Sequence, residues 1–600
     1  MTAAGGAALG TAFLTACGGG DDSGDEGGAS KDKSGLVAKF EDTSKQAKRG
    51  GVLKRIATVE PATLDAGGLS ASLAAYLEFA YARLLAFKPG YMQPSSDEII
   101  PDNAEAWELS PDKLQITLKL RQGVKFHNLP PVNGRVMDAE DVLFSWKRFT
   151  AVGGQRAAVA NSVNPDAPVI SVTSPDARTI VVKFKEPLVY ATAFLAPRES
   201  LNIVPKEADN QSALDLRNRM LGTGPFYLAD YKPSVGLTFK RHVDYWQKDR
   251  PYIDQVDYPI VPEYAAMVSQ LCAGGIYVSG NAANGVRQDE VIGLKKDLPD
   301  LNLYENPITV DTTRMFFGWQ NVAARDERVR QAMSMAVDRD LWIDTMNNVP
   351  AFTSQGLAVE KRWSTALDAN EITTGWWLDP KSKDFGPNAK YFEHSVAEAK
   401  KLLAAAGYAN GVEVQSNHFT TTQFGLAFPK NVEVWEGMIA EAGFKFKKNI
   451  IDYSGEYLAL RDTNGKFNGV SYKIGPPAPT NDPTNRLTYE YTTKGGAPGF
   501  YGFDAAGKGD GSGDPYVDSQ LKKAEVEFDT EKRRALVHDV QRHLAGKQYA
   551  IRWAGGATQF ALLWPAVRNY RVYREGSVSG SLTAHLYWWL DETQAPLRKS

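Results

Sequence analysis

Cysteine is scarce in this chain. Only two cysteines, Cys17 and Cys272, occur among 600 residues. Zinc sites built from four cysteines, iron–sulfur clusters and disulfide scaffolds need more thiols than this, so those classes are excluded. Cys272 lies in an apolar stretch with helical spacing, where we expect a small buried thiol. Cys17 follows a short apolar segment and is interpreted below together with it.

An excess of charge of one sign is also lacking. The chain carries 68 Lys and Arg against 71 Asp and Glu, a formal net charge of −3 at pH 7. Proteins that bind nucleic acid neutralise phosphates with clustered basic residues, so this balance argues against DNA or RNA as a partner. The hydrophobic share of 43% is that of a folded protein, and the length predicts several domains.

No apolar run reaches the roughly 20 residues that a membrane-spanning helix needs. The run at residues 3–16 has the length of a signal-peptide core and ends in Leu14-Thr-Ala-Cys17. These small residues before a cysteine resemble a lipobox, at which cleavage leaves a lipid-bearing N-terminal cysteine. We expect residues 1–17 to be a signal peptide, Cys17 to carry lipid, and the protein to work outside the cytoplasm. A plain secretory signal with a chance cysteine is the alternative.

The segment after Cys17 has little apolar content. Residues 18–35 consist mainly of Gly, Asp and Ser, so they cannot bury an apolar face. We interpret residues 18–49 as a flexible tether between the membrane and a folded body. The lipid would be the protein's only attachment to the membrane.

Catalytic motifs are missing as well. The sequence has no Gly-x-x-x-x-Gly-Lys-Ser/Thr phosphate loop, no His-Glu-x-x-His zinc helix and no Gly-x-Ser-x-Gly elbow. The near match at residues 576–580 has Val578 at the nucleophile position. The acids Asp504, Asp510 and Asp514 lie in a Gly-rich loop without the EF-hand spacing. We therefore expect neither catalysis, nor a metal, nor any other cofactor.

Hydrophobic periodicity predicts alternating strands and helices, and hence an α/β architecture with helices covering sheets. Asp138 is expected to cap a helix, and Ser395 to open another through a capping box. Strands are predicted over residues 51–58, 114–120, 124–126, 179–184, 412–414 and 444–451. Helices are predicted over residues 72–85, 326–338, 395–407, 432–441, 521–528 and 530–544.

Five sequence blocks occur in an order that is typical of one family. They are residues 106–145, 222–254, 325–339, 399–408 and 514–533. Together they resemble the extracellular solute-binding proteins of family 5, the dipeptide- and oligopeptide-binding proteins of ABC importers. The resemblance covers roughly residues 50–591. Within the second block, Gly222 and Gly224 are expected to form a tight turn with positive φ.

This resemblance implies a two-lobe α/β fold of the periplasmic-binding-protein type II, in its enlarged peptide-binding class. A hinge would join the lobes, and they would close over a ligand in the cleft between them. Lobe I is expected over residues 50–305, with an extra subdomain at about residues 87–204. Lobe II is expected over residues 306–561, and residues 562–600 would return into lobe I.

The resemblance also exposes one departure that bears on the ligand. Peptide-binding members place an aspartate shortly before an Asp-Pro pair, where it holds the free amine of the peptide. The pair here is Asp482-Pro483, and Pro479 stands three residues before Asp482. Proline cannot form that salt bridge. Either another acid, such as Asp482, holds the amine, or the ligand is not a peptide.

The function implied is that of a substrate-binding lipoprotein. It would capture an oligopeptide or other small organic solute and deliver it to ABC permease subunits, acting as a monomer without catalysis. A ligand-sensing surface receptor without a pump and a secreted hydrolase are the alternatives. The candidate cleft residues are Trp319, Gln320, Tyr472, Asp482 and Phe503.

Overall fold

The structure is a computed structural model that describes most of the chain. The described residues are 32–39, 41–67, 71–89, 98–197, 201–278, 285–306, 308, 312–369, 375–419, 428–461, 463, 465–472, 480, 482–493, 504–570 and 583–598. The predicted signal peptide with Cys17, Pro479, Phe503 and the near match around Val578 lie outside them.

Strands and helices alternate along the chain. The strands are β1 (Val52–Lys54), β2 (Leu85–Phe87), β3 (Ile99–Pro101), β4 (Ala104–Leu109), β5 (Gln115–Leu120), β6 (Val169–Asp176), β7 (Thr179–Phe184), β8 (Phe226–Lys232), β9 (Gly236–Arg241), β10 (Gln255–Pro259), β11 (Asn302–Asn306), β12 (Arg314–Phe317), β13 (Lys361–Trp363), β14 (Val412–His418), β15 (Phe444–Ile450), β16 (Val470–Tyr472), β17 (Ala550–Arg552), β18 (Gly555–Ala557), β19 (Gln559–Leu563), β20 (Val567–Arg568) and β21 (Trp589–Leu590). The α-helices are α1 (Ala71–Ala80), α2 (Ala139–Val152), α3 (Arg156–Val159), α4 (Tyr264–Cys272), α5 (Val291–Asp297), α6 (Val322–Arg325), α7 (Glu327–Ala336), α8 (Arg339–Met346), α9 (Val349–Ser354), α10 (Val396–Ala405), α11 (Phe428–Ala440), α12 (Leu458–Arg461), α13 (Pro483–Tyr491), α14 (Pro515–Glu525) and α15 (Thr530–Lys547).

Two hydrophobic cores divide these elements. The first core draws on residues 53–304 and 560–590, with Phe352 and Leu357 added from between. The second core draws on residues 315–557. We call the elements around the first core lobe I and those around the second lobe II. The limits expected at residues 305/306 and 561/562 stay a prediction.

Lobe I contains two four-stranded sheets. One has the order β1-β10-β9-β8, in which only the β1–β10 pair is parallel. The other has the order β4-β5-β7-β6 and is antiparallel throughout. Helix α2 packs on this second sheet, and its first turn is held by a capping box between Asp138 and Asp141. The second sheet and α2 lie inside the range expected for the extra subdomain.

Lobe II is built on one five-stranded sheet of order β15-β14-β16-β12-β17. Strand β14 runs parallel to both β15 and β16, while β12 runs antiparallel to β16 and β17. Helices α7 and α10 pack on each other, and α11 packs on α7 and on β15. Helices α13, α14 and α15 follow one another in contact. The start of strand β12 and the end of helix α13 lie together, where Arg314 pairs with Glu490.

An antiparallel ribbon joins the lobes. Strand β11 leads out of lobe I and pairs with β19, which leads back into it, from Asn302 opposite Leu563 to Asn306 opposite Gln559. We call β11 and β19 the hinge ribbon. Beside it, the ring centroids of Phe352 and Phe560 lie 4.6 Å apart. A two-stranded connection of this kind lets two lobes rotate about a few backbone torsions.

The predicted tether over residues 18–49 needs correction for its second half. Val37 forms a parallel bridge to Leu303 of the hinge ribbon, and the Ala38 amide donates to the Leu303 carbonyl at 2.8 Å. The Thr43 amide donates to Asn569 at 2.9 Å, and the Trp589 indole donates to the Thr43 hydroxyl at 2.9 Å. Residues 36–38 are apolar and cover the first core, which is why this part is packed.

Two further sequence expectations differ from the structure. Residues 124–126 form no strand, only an isolated bridge between Lys125 and Val136. Cys272 is half-buried rather than buried, because it is the last residue of α4 and lies at the helix end. Burial still raises the pKa of its thiol.

Gly222 and Gly224 were expected to need positive φ, and this expectation is wrong. Neither residue has a φ in the left-handed range. A Cβ at Gly222 would lie 2.3 Å from the Ala80 carbonyl oxygen, and one at Gly224 would lie 2.5 Å from the Phe79 carbonyl oxygen. Glycine is required here because the backbone approaches the end of α1 too closely for any side chain.

Candidate functional site

The Asp482-Pro483 pair opens helix α13. One carboxylate oxygen of Asp482 accepts the amides of Thr484 and Asn485 at 2.8 and 3.3 Å. The other accepts from the Arg533 guanidinium at 3.1 Å. Such a cap satisfies donors that a helix start leaves without partners, and Pro483 suits the first helical position. Both oxygens of Asp482 are therefore engaged within lobe II, so a ligand amine would have to compete with Arg533.

Helix α13 also carries half of a buried charge cluster. Glu490 accepts from Arg552 at 2.6 Å and from Arg314, while Asp368 accepts from Arg552 and Arg486. Among the described residues, three guanidinium groups face two carboxylates. Burial alone would raise the pKa of Asp368, but the neighbouring arginines outweigh it and lower that pKa below its usual range.

The charge cluster lies where lobe II adjoins the hinge. Arg314 begins β12, the first strand after β11, and Arg552 ends β17, the strand that precedes β18 and β19. Asp368 and Arg552 are buried, and Arg486 keeps 12% of its side chain exposed. No sequence motif marks this cluster, because its members are up to 238 positions apart.

Trp319 and Gln320, both predicted for the cleft, follow β12. Trp319 is buried in the second core, with its ring centroid 5.2 Å from the Arg330 guanidinium and 6.3 Å from the Tyr549 ring. Its carbonyl accepts from Arg325 at 2.7 Å. Gln320 is exposed. The structure thus places Trp319 as a core residue and leaves Gln320 accessible to a ligand.

Tyr472 ends β16 and is fully buried. Its hydroxyl donates to Glu436 of α11 at 2.9 Å, and its carbonyl accepts from the Tyr457 hydroxyl at 3.0 Å. Glu436 also accepts from Ser416, whose oxygen lies 3.1 Å from Nδ1 of His418. Burial raises the pKa of Glu436. Tyr472 therefore ties the sheet to α11, and a ligand would meet it only through a rearrangement of lobe II.

Ser416, His418 and Glu436 are the residue types of a hydrolytic triad, but they are not arranged as in such a triad. In such triads the histidine lies between the serine and the acid, so that it can take the serine proton. Here Ser416 lies between His418 and Glu436 and is fully buried. This geometry does not activate the serine.

The acids of the Gly-rich loop are held by other groups. Asp504 accepts the amides of Lys508 and Gly509 at 2.9 and 2.7 Å. Asp514 caps α14 and accepts from His543 at 2.7 Å and from the Tyr549 hydroxyl at 2.9 Å. Across the described part of the chain, no group of three His, Cys, Asp or Glu side chains is placed to hold a metal ion.

The lobes also meet away from the hinge ribbon. The Tyr190 hydroxyl of lobe I lies 2.5 Å from a carboxylate oxygen of Glu525 in lobe II, and the Val189 amide donates to the Glu525 carbonyl at 2.9 Å. Glu186 and Lys522 form an ion pair beside them. We call these five residues the rim contact. Sequence reasoning did not find it, because Tyr190 and Glu525 are 335 positions apart.

Comparison of the chain with known proteins identifies the family to which it belongs. The family described as "Bacterial extracellular solute-binding proteins, family 5 Middle" matches residues 98–496. The chain belongs to this family. The predicted resemblance is thereby confirmed, and the family is one of solute-binding proteins that work outside the cytoplasm, not one of enzymes.

The names of two relatives of this family member indicate different ligands. It is 26% identical over 522 residues to Di/tripeptide-binding protein 1 of Pseudomonas aeruginosa, covering 82% of this chain and 86% of that protein. It is 28% identical over 350 residues to Heme-binding protein A of Haemophilus influenzae, covering 56% and 57% of the two chains.

Solved structures confirm the two-lobe fold. The periplasmic binding protein DppA from Helicobacter pylori, in complex with the peptide STSA, matches with a TM-score of 0.68 at 21% identity, over 91% of this chain and 99% of that one. AgaA from A. tumefaciens R10, in complex with agropinic acid, matches with a TM-score of 0.68 at 22% identity, over 90% and 99%. Within the described residues, no helix combines the length and apolar character needed to cross a bilayer.

Proposed function

We propose that this family member is the substrate-binding lipoprotein of an ABC importer. It captures an oligopeptide or other small organic solute in the cleft between the lobes and delivers it to the permease subunits. The observation that carries the proposal is the pair of separately packed lobes joined by the hinge ribbon. A ligand that contacts both lobes stabilises the closed form, and the permease would recognise that form.

The ligand class follows from the engagement of Asp482. Because its carboxylate caps α13 and pairs with Arg533, we infer that a free amine is not the group the site depends on. We infer that the arginines of the buried cluster, at the hinge side of lobe II, favour a ligand that carries a carboxylate. Peptides and other small organic acids both satisfy this condition.

Contacts to the ligand are proposed for Gln320, Asp482 and Phe503, as predicted from the sequence. Of these, Gln320 is exposed, and Asp482 keeps 15% of its side chain exposed at the start of α13. Trp319 and Tyr472 are proposed to support the site from within lobe II, in keeping with their burial. Lipidation of Cys17, attachment to the outer face of the cell membrane and a monomeric state belong to the same proposal and rest on the sequence.

A direct test starts from the protein itself. The full chain, purified in detergent under native conditions, would be analysed by mass spectrometry for small molecules that co-purify with it. Each candidate would then be added back at saturation, and we expect the melting temperature to rise by mass action. Uptake of the labelled candidate should be lost in cells without the protein. A protein that retains no solute and shows no shift with peptides or organic acids contradicts the proposal.

A further inference from the structure

The rim contact has the properties of a specific interaction. It combines a short hydrogen bond, a backbone hydrogen bond and an ion pair within five residues of lobe I and four of lobe II. Tyr190 is 4% exposed and Glu525 is 8% exposed. A buried carboxylate is destabilising unless it is hydrogen-bonded, and the tyrosine supplies Glu525 with such a bond from the other lobe.

Separation of the lobes would break every part of the rim contact at once. Tyr190 precedes the 3₁₀ turn Ala191–Leu195 of lobe I, and Glu525 is the last residue of α14 in lobe II. The only covalent path between them runs through the hinge ribbon. Close by, the Lys113 ammonium lies 5.5 Å from the ring centroid of Phe528, a further pairing across the lobes.

The rim contact also adjoins the helix start that the sequence assigns to the ligand site. Asn485, in the first turn of α13, lies within hydrogen-bonding reach of the Tyr190 hydroxyl. Its side chain in turn accepts from the amide and the hydroxyl of Thr480 at 3.2 and 3.0 Å. The rim contact is thereby linked through Asn485 to Thr480, which lies two residues before Asp482.

We propose that Tyr190 and Glu525 form a latch that holds the two lobes together and sets the share of closed molecules before a ligand arrives. The proposal rests on the hinged capture described under the proposed function. The latch stabilises the arrangement in which the lobes meet at the rim contact, so weakening it shifts the population toward the open form. The Glu186–Lys522 ion pair supports it from a more exposed position, where such pairs contribute less.

The test compares two tyrosine variants of the full chain with no ligand added. Tyr190→Phe removes the hydroxyl of the latch. The matched control, Tyr231→Phe, removes a hydroxyl that donates to Glu60 at 2.6 Å entirely within lobe I. Hydrogen exchange would be followed at the Val189 amide, which donates across the lobes, and small-angle scattering would report the radius of gyration.

We expect Tyr190→Phe to accelerate exchange at Val189 about tenfold, the size of effect that one strong hydrogen bond supports, and to enlarge the radius of gyration. Tyr231→Phe should change neither. Glu525→Gln should reproduce the effect of Tyr190→Phe, and the double variant should add little, because both changes break one interaction. Exchange and scattering equal to those of the unmodified protein in both variants would overturn the latch.

Two precautions keep the result decisive. Near-ultraviolet circular dichroism identifies a variant that fails to fold. In that case the more exposed Glu186–Lys522 pair is tested instead. Glu186→Gln is expected to accelerate exchange at the Val189 amide about twofold, and an unchanged rate would count against the latch.

Solute binding is measured separately. Faster exchange in a protein that binds no solute refutes the proposed transport role alone, whereas unchanged exchange in a protein that binds solute refutes the latch alone.

Discussion

At the scale of single residues, two buried histidines share one acceptor. Nε2 of His127 and Nδ1 of His242 each lie 3.1 Å from the Gly224 carbonyl oxygen. The Gly222 amide donates to the other ring nitrogen of His127 at 3.3 Å, so His127 is neutral and donates through Nε2. Burial lowers the pKa of His127 to about 3 and also lowers that of His242.

The lowered pKa values of these histidines predict that the folded protein loses stability at acid pH. Because the pKa of His127 in the folded protein lies below its unfolded value, the unfolded chain binds the proton first, and stability falls as pH drops from about 6.5 toward 3. His127 alone would contribute up to roughly 1.4 kcal/mol per pH unit across that window. Urea unfolding at pH 7 and pH 5 would measure the loss. The variant His127→Gln should show a shallower pH dependence; an equal slope would contradict the assignment.

Asp482 gives a second prediction at this scale. With both of its oxygens engaged by α13 and Arg533, acetylation of a peptide's amine should reduce affinity less than tenfold. A charge-assisted hydrogen bond to that amine would otherwise be worth about 1.5–3 kcal/mol, or ten- to 150-fold. Calorimetry of each peptide and its acetylated twin measures the difference. A larger loss that disappears in Asp482→Asn would show that Asp482 does hold the amine.

At the scale of elements, two glycines in different surroundings predict opposite effects of the same substitution. A Cβ at Gly224 would meet the backbone at 2.5 Å, so Gly224→Ala should destabilise the fold by at least about 1–3 kcal/mol. Gly437 lies inside α11 with nothing within 4 Å of its Cβ position, so Gly437→Ala should stabilise by roughly 0.5–1 kcal/mol. Urea midpoints of both variants provide the comparison, and a neutral Gly224→Ala would refute the close approach.

Elements were also where the sequence was most informative. Asp138 and Ser395 cap α2 and α10, because a cap depends on residues within one turn. Of the capping box predicted at Ser395, only the bond from the Glu398 amide forms, and the Glu398 side chain pairs with Lys401 instead. The predicted strand at 124–126 did not form, since alternation alone does not supply a partner strand. The charge cluster, the Glu436 network and the rim contact join residues from distant positions. Their side chains look ordinary within their own segments, so nothing local predicted them.

At the scale of the whole molecule, the proposed lipid anchor predicts that the protein is found in the membrane fraction of the cell. Cys17→Ser should move the protein from the membrane fraction to the medium or the periplasm, because no lipid is then attached. Each buried CH₂ contributes about 0.8 kcal/mol, and stable anchoring needs more than one acyl chain. Cell fractionation with immunodetection measures the change, and Thr15→Ser serves as the control that keeps the cysteine. An unchanged distribution in Cys17→Ser would refute the anchor.

The packing of residues 36–38 along the hinge ribbon has a consequence for how the folded body is tethered to the membrane. These residues fasten the N-terminal segment to lobe I beside the hinge ribbon, so the tether leaves lobe II free to rotate about the hinge. If Cys17 is the anchor, residues 18–31 separate it from the first described residue, and 14 residues span at most about 50 Å. The protein would therefore bind solute, and meet its permease, with its N-terminal attachment point within about 50 Å of the membrane surface.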